Sequence, residues 1–388
     1  MAWLTTAALI GLSAASVARA VPSFSLLTGN RCHACHFSPG GGGLRSELGW
    51  YSMHDVGLLQ WRHLGLGSIE RWWQQQENTL WNGLLVVGTD LRVQGFQSHN
   101  PAYNPHWRLF PMQAALHIGL QPLKALSAAL TFNPGRILFP GQQRWSAWLD
   151  FHPAKALPSI QIGFLQPAVG MRYDDHTMLV RRMPGARFDS PQETYLLAPD
   201  FAQWGTLLYW GSVSWLSLCA GAFRAGELSE VRLSTETGEF RPITASSRPV
   251  WNGHLWLFPG TRYWKLSIGA SQFGNSDFAL WNFFGGFGWI DHLSVWAEYS
   301  TLHTDFLHRW TITTEVCLWL RNAVMPYVRI EHGVVTKPSF HPVPYTTQLV
   351  VGAQLFVLPF VELRPEYRWA DTESYRSGRF AIQLHMFY

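Results

Sequence analysis

Lysine is almost missing from this chain, standing only at Lys124, Lys155, Lys265 and Lys337. Charged residues of both signs reach only 14%, and the net charge is +4. A field that weak excludes nucleic acid as a partner recognised by charge. Cysteine is scarce too: four residues in 388 exclude a disulfide-built scaffold. Beyond residue 20 no apolar run reaches the roughly 18 residues that a membrane-crossing helix requires. No hydrolase triad or dinucleotide fingerprint is visible, and Gly40–Gly43 lacks the strand–helix setting of a phosphate-binding loop.

What the chain does have is aromatic and glycine-rich: 15% aromatics, with 21 Trp and 34 Gly. Its first 20 residues read as a secretory signal. An apolar run from Leu4 to Val17 leads into Ala18-Arg19-Ala20, an A-x-A-like cleavage site before Val21. The leading Met1-Ala2-Trp3 is atypical in carrying no Lys or Arg.

Soon after comes Cys32-His33-Ala34-Cys35-His36. C-x-x-C-H is the attachment site of a c-type haem: two thiols form thioethers to the vinyl groups and the adjacent imidazole becomes the proximal iron ligand. The expected cofactor is therefore one covalent haem c on Cys32 and Cys35, with His36 on the iron. A structural zinc site would need two more ligands, and Cys219 and Cys317 lie far along the chain without paired spacing. No βαβ pattern supports a thioredoxin-like motif, whereas a simple Cys32–Cys35 disulfide stays open. Export fits the haem motif, and it would also permit oxidation of Cys219 and Cys317.

The remaining chain is written in period-two alternation. Val361, Leu363, Tyr367 and Trp369 oppose Glu362, Arg364, Glu366 and Arg368. Trp310, Ile312, Val316 and Leu318 oppose Arg309, Thr311, Thr313 and Glu315, and Leu85, Val87, Leu91 and Val93 oppose Asp90, Arg92 and Gln94. Phe380, Ile382, Leu384, Met386 and Tyr388 share one face. An apolar row opposite a charged row suits a strand with lipid on one side and a lumen on the other. Aromatics near segment ends, such as Trp81, Trp107, Trp264, Trp289 and Trp310, would form the interfacial girdles. A soluble β-sandwich also alternates but carries more Lys and Glu outside. The expected fold is all-β: a transmembrane antiparallel barrel of the bacterial outer membrane, with about 16 strands. The expected domains are a signal peptide (1–20), a monohaem cytochrome c-like segment (21–78) and the barrel (79–388). Polar stretches at 97–106, 171–200 and 233–249 read as loops, and a short helix is expected near Ser68–Gln76.

The stretch Pro22-Ser23-Phe24, Thr28-Gly29, Cys32-x-x-Cys35-His36, Pro39, Leu44 and Gly49 resembles the fused monohaem cytochrome c–porin family of the outer membrane. The likeness covers about 30 residues, a length that keeps any motif match a hypothesis. This chain departs from it after the motif, with Gly40–Gly43 and Leu48-Gly49-Trp50 where the family commonly has a Phe-Gly-Arg-x-Phe-Lys-like stretch. The resemblance implies an Fe(II):cytochrome c oxidoreductase, moving electrons from extracellular Fe(II) or another donor through the haem to a periplasmic c-type cytochrome or other carrier. The alternatives are a solute-transport porin with a haem-bearing plug, or electron export to an outside acceptor. A segment this short needs walls, and a barrel lumen would supply them. Met53, His54 and His63 are the expected candidates for the distal iron ligand, and Asp174-Asp175-His176 reads as a solvated turn rather than a metal site.

Overall fold

A computed structural model describes residues 22–38, 43–74, 78–98, 107–133, 145–154, 156–171, 178–185, 196–197, 201–234, 240–321, 323–336 and 343–388. The signal segment, the Asp174–His176 cluster and most of the Gly40–Gly43 run lie outside the described residues.

Alternation closes this sequence into a ring. Its first strands are β1 (Leu85–Ser98), β2 (Trp107–Leu123), β3 (Leu126–Phe132), β4 (Trp145–Phe151) and β5 (Ser159–Leu165). There follow β6 (Gln203–Trp210), β7 (Leu216–Phe223), β8 (Val250–Leu257), β9 (Trp264–Gly274) and β10 (Phe278–Trp289). The last are β11 (Leu293–Thr304), β12 (His308–Leu318), β13 (Val324–Thr336), β14 (Tyr345–Leu358), β15 (Val361–Thr372) and β16 (Arg376–Phe387). Each pairs antiparallel with its sequence neighbour, and β16 returns to β1 in a register that sets Gln383 beside Gln94 and His385 beside Arg92. Sixteen strands thus close without an edge, so no row of backbone donors is left facing lipid.

The side-chain period sorts the wall. On β13, Arg329 is 0% exposed while its neighbour Ile330 is 56% exposed. On β12, Arg309, Thr311, Thr313 and Glu315 point inward, and Ile312, Val316 and Leu318 outward. The outer face is apolar, as a hydrocarbon contact demands, and among the described residues no helix is long and apolar enough to cross a membrane. The chain is an outer-membrane β-barrel.

The inward face is polar yet dry, because other parts of the chain fill the lumen. Part of the filling is the connection from β5 to β6. Among its described residues the backbone is irregular apart from a 3₁₀ turn at Leu179–Arg181, so those amide groups need partners inside the barrel. The wall provides them. Ala168 exchanges hydrogen bonds with Asn252 at 2.9 Å, Gly170 N–H donates to Ser271 Oγ at 2.8 Å, and Leu179 N–H donates to Glu331 Oε2 at 2.8 Å. Arg309 donates to the carbonyls of Leu179, Val180 and Arg182 at 2.8–3.2 Å.

The rest of the filling comes from the amino-terminal segment, chiefly α1 (Pro22–Thr28) and the turn leading to α2 (Glu47–Tyr51), inside the end where the strand connections are short; α3 (Gly67–Gln74), which overlaps the stretch expected to be helical, follows a largely exposed run from Leu58. Ser23 Oγ donates to Glu315 Oε1 at 2.7 Å, Asp291 N–H to the Leu27 carbonyl at 2.9 Å, and Leu58 N–H to the Phe356 carbonyl at 2.8 Å. Leu26 rests on a bare patch of β10, where a Cβ on Gly288 would stand 2.1 Å from the Leu26 carbonyl oxygen. Gly288→Ala is expected to push α1 off the wall at a cost of about 1–3 kcal/mol, read as faster proteolytic nicking within residues 22–78 in the folded barrel.

One expectation is corrected. The stretch 233–249 is not wholly a loop: Arg232–Ser234 pairs with Phe240–Pro242 as a small antiparallel ribbon outside the barrel ring, and Ile243 and Leu233 are buried beneath it.

Candidate functional site around Cys32–His36

A 3₁₀ turn over Cys32–Ala34 shapes the motif, with the Cys35 and His36 amides both donating to the Cys32 carbonyl, at 3.2 and 3.1 Å. The turn is clamped from behind. Ser46 N–H donates to the Cys35 carbonyl at 2.9 Å, and Ser46 Oγ donates to the Ala34 carbonyl at 2.8 Å while capping α2 by accepting from Gly49 N–H. Gly49 lies so close that a Cβ there would stand 2.2 Å from the Cys35 carbonyl oxygen. Phe37 N–H donates to the Leu44 carbonyl, closing the excursion through 39–42.

The barrel holds the turn from the other side. The Arg31 guanidinium spreads its donors over the carbonyls of Gly211, Val213 and Leu216, all at 3.1–3.3 Å, on the short β6–β7 connection and the start of β7. His33 Nδ1 lies 3.3 Å from the Tyr209 hydroxyl of β6. Burial, and then Arg31, lower the His33 pKa to about 4, so the ring is neutral at ordinary pH.

Cys32, Cys35 and His36 are 4%, 1% and 3% exposed. None of the four cysteines is joined in a disulfide. Burial pushes the Cys35 thiol up to about 11 although Arg45 pulls it down. A group so protonated is a poor thiolate ligand for zinc. Among the described residues no set of three or more His, Cys, Asp or Glu side chains, the motif included, is grouped to hold a metal ion. Cys32 shares an apolar cluster with Leu26, Val180, Trp256, Phe258, Phe284, Trp296 and two methionines, Met171 and Met178. Beside it a cavity of about 40 Å³ lies between Ser38, Gln166, Gly170, Tyr209, Cys219, His254 and Trp256. Two buried thiols one turn apart and an imidazole at the next position are the donor types a covalently held porphyrin takes, but that space is far too small for the macrocycle, which would have to displace the packing around Cys32.

The expected distal candidates fall elsewhere. Met53 is buried, but in a second cluster with Phe24, Leu27, Trp50, Phe356 and Phe360. His54 packs edge-on against Trp50, ring centroids 4.1 Å apart, and against Phe360, and burial lowers its pKa while Asp55 opposes this. His63 is exposed, and its Nδ1 accepts from Gln60 N–H at 3.1 Å. The residues that do approach the motif (Arg31, Met171, Met178, Tyr209, His254) were not singled out by sequence. Four of them lie more than 130 residues from Cys32, and the fifth is a single arginine without a pattern.

No family model matches the chain, and no curated protein matches it. Solved structures do match in fold. An OprB from Pseudomonas putida has a TM-score of 0.55 at 10% identity, covering 83% of this chain and 97% of that one. An anion-selective porin from Comamonas acidovorans gives 0.53 at 7%, covering 78% and 99%. The outer-membrane OmpT of Vibrio cholerae gives 0.51 at 9%, covering 78% and 97%. At these identities the likeness is one of architecture: a porin-type outer-membrane barrel, into whose lumen this chain folds α1 and the Cys32–His36 turn.

Proposed function

We propose that this barrel is an outer-membrane electron conduit of the fused cytochrome–porin kind. One observation carries the reading: the only C-x-x-C-H motif of the chain is buried inside the lumen, bracketed by the wall and by the in-folded β5–β6 connection. Haem bound there would supply one-electron chemistry between an extracellular Fe(II) or similar donor and a periplasmic c-type cytochrome or other carrier.

The protein's own residues set the conditions. Arg31 and Ser46 fix the turn that presents Cys32, Cys35 and His36 on one side. Trp256, Phe258, Phe284 and Trp296 exclude water from Cys32. Low dielectric and an apolar wall are levers on reduction potential. In barrels of this type the short connections face the periplasm, so the motif end lies toward the carrier. The apolar band of such barrels is about 25 Å tall, and a redox centre within the lumen divides that distance.

A second reading, a solute channel whose segment 22–78 is a plug, is favoured by the porin architecture of the fold neighbours. Against it stand the lumen side chains Arg309, Glu315, Arg329 and Glu331, all at 0–1% exposure, so this part of the inner wall is covered by packed chain rather than lined with water. The test uses the purified protein and intact cells. The conduit predicts a c-type pyridine haemochrome, reduction of that haem by Fe(II) added outside cells, and little conductance in planar bilayers. A channel predicts steady solute conductance that survives His36→Ala and loss of haem.

A further inference from the structure

The amino-terminal segment leaves the lumen at Leu58. Met53 and Val56 are still packed with Phe356 and Phe360, and Gly57 passes close over Leu358 and Pro359 of the β14–β15 connection. Leu58 and Leu59 then dock by their N–H groups on the carbonyls of Phe356 and Val357, at 2.8 and 3.1 Å. The chain returns at Thr79–Leu80, which pairs with Val86 and Leu85 at the start of β1. Both ends are thus tied to the rim of short connections, the periplasmic rim in barrels of this type.

Between those ties stands a unit with its polar contact inside. The 3₁₀ turn Trp61–Leu64 ends at Gly65, whose φ of 75° lets the chain turn back toward α3. Where turn and helix meet, Glu70 is buried, accepting from Arg62 N–H at 2.7 Å and pairing with the Arg62 guanidinium at 3.5 Å. The aliphatic side chains lie outside: Leu58, Leu59, Leu64, Leu66 and Ile69 are each 37–50% exposed. Trp72 and Trp73 follow Ile69 at the three- and four-residue spacing of one helix face. An aliphatic exterior over a buried ion pair reverses the order that a watery surface imposes, and so marks a contact.

The neighbours indicate what makes that contact. Leu80, Trp81 and Leu84 at the return, and Leu120 and Leu123 on the paired end of β2, are exposed apolar residues of the same rim. They continue the lipid-facing wall into its interfacial girdle. The run from Leu58 is therefore continuous with a surface that already meets lipid. Its charges suit the same place. Arg62 and Arg71 are exposed, whereas Glu70, the one carboxylate between residues 58 and 74, is turned inward. Arginines beside an aliphatic and Trp-bearing face are the composition of helices that lie along anionic lipid.

We propose that residues 58–74 lie in the plane of the periplasmic leaflet as an amphipathic anchor. Leu58, Leu59, Leu64, Leu66 and Ile69 sit among the acyl chains, and Arg62 and Arg71 reach the phospholipid phosphates. The anchor needs the barrel and its membrane but not the cofactor. It fixes the outer end of a segment whose inner end, α1, is held in the lumen.

The experiment places a photoactivatable benzophenone side chain at Leu64 or at Ile69 of the full-length protein, in vesicles of phosphatidylethanolamine with phosphatidylglycerol and in intact outer membranes. Ile330 on the lipid-facing wall and Glu230 in an exposed loop are the reference positions. Heat-modifiable migration on gels confirms a folded barrel in each. Irradiation is expected to give phospholipid adducts at Leu64 and Ile69, as at Ile330, and none at Glu230, read by mass spectrometry. The double variant Leu64→Asp with Ile69→Asp should free the unit, raising trypsin cleavage after Arg62 or Arg71 several-fold. Should that variant fail to fold, the adducts at the two single positions decide. Vesicles in which Ile330 yields a lipid adduct and neither Leu64 nor Ile69 does overturn the anchor. Adducts to a protein instead of lipid in outer membranes also overturn it, and assign the patch to a periplasmic partner.

Discussion

Replacing Cys32 and Cys35 together by alanine is expected to abolish the c-type haemochrome entirely and with it reduction of periplasmic carriers by external Fe(II). The effect is all-or-none because, on the conduit reading, two thioethers would be the covalent hold on the cofactor, and the remaining cysteines offer no thiol pair: Cys219 and Cys317 sit on β7 and β12, far apart in the ring order. The barrel should still assemble, since its closure rests on strand pairing from β1 to β16 rather than on the motif. Heat-modifiable migration of the variant checks that. A variant that keeps electron transfer across the membrane after losing haem would remove the redox reading and leave the channel.

Arg329→Met is expected to be the most damaging wall substitution, lowering barrel stability by about 3–5 kcal/mol. The Arg329 side chain lies within 3.5 Å of Glu315 and 2.5 Å of Glu331, and all three are at most 1% exposed. Taking away the guanidinium strands two carboxylates in a dry interior. Those same carboxylates hold the filling, Glu315 through Ser23 of α1 and Glu331 through Leu179 N–H. Loss of Arg329 should therefore loosen the lumen before the barrel melts. The check is urea unfolding followed by gel migration, alongside Arg329→Met with Glu315→Gln. The double variant should recover part of the loss, since one stranded charge is gone. If the single substitution leaves the midpoint unchanged, the buried triad is not what steadies this wall.

The barrel was legible in sequence wherever one face met lipid and the other met charge. On β15 the row Glu362, Arg364, Glu366, Arg368 points inward as its alternation required, and β1 and β12 behave likewise. Other strands hid for the opposite reason. On β10 the inward face holds Phe278, Leu280, Phe284, Gly286 and Gly288, because it packs on α1 and the β5–β6 connection instead of water. With both faces apolar, the period of two fades. β7 hides in the same way behind Cys219, Ala220, Gly221 and Ala222. β3, β6 and β13 also went unmarked, although β13 carries Arg329 and Glu331 inward.

The motif itself was legible because its chemistry is local: two thiols and an imidazole within five residues. Its walls were not. Tyr209, Trp256 and the Met171–Met178 pair reach Cys32 only through ring closure, and nothing near Cys32 announces them. Met53 looked suitable by proximity, yet Trp50 and Phe24 draw it into a different cluster against β13, β14 and β16.

The seating of Trp50 has a consequence for biogenesis. Its ring lies edge-on to Tyr388, centroids 5.6 Å apart, and also against Phe360, while Leu59 N–H donates to the Val357 carbonyl. Those partners belong to the hairpins translated last, so the segment made first cannot dock until the ribosome has finished the final strands and the seam has zipped. Until then Cys32 and Cys35, buried in the folded chain, stay open to chemistry, and any covalent modification of the pair would have to come first.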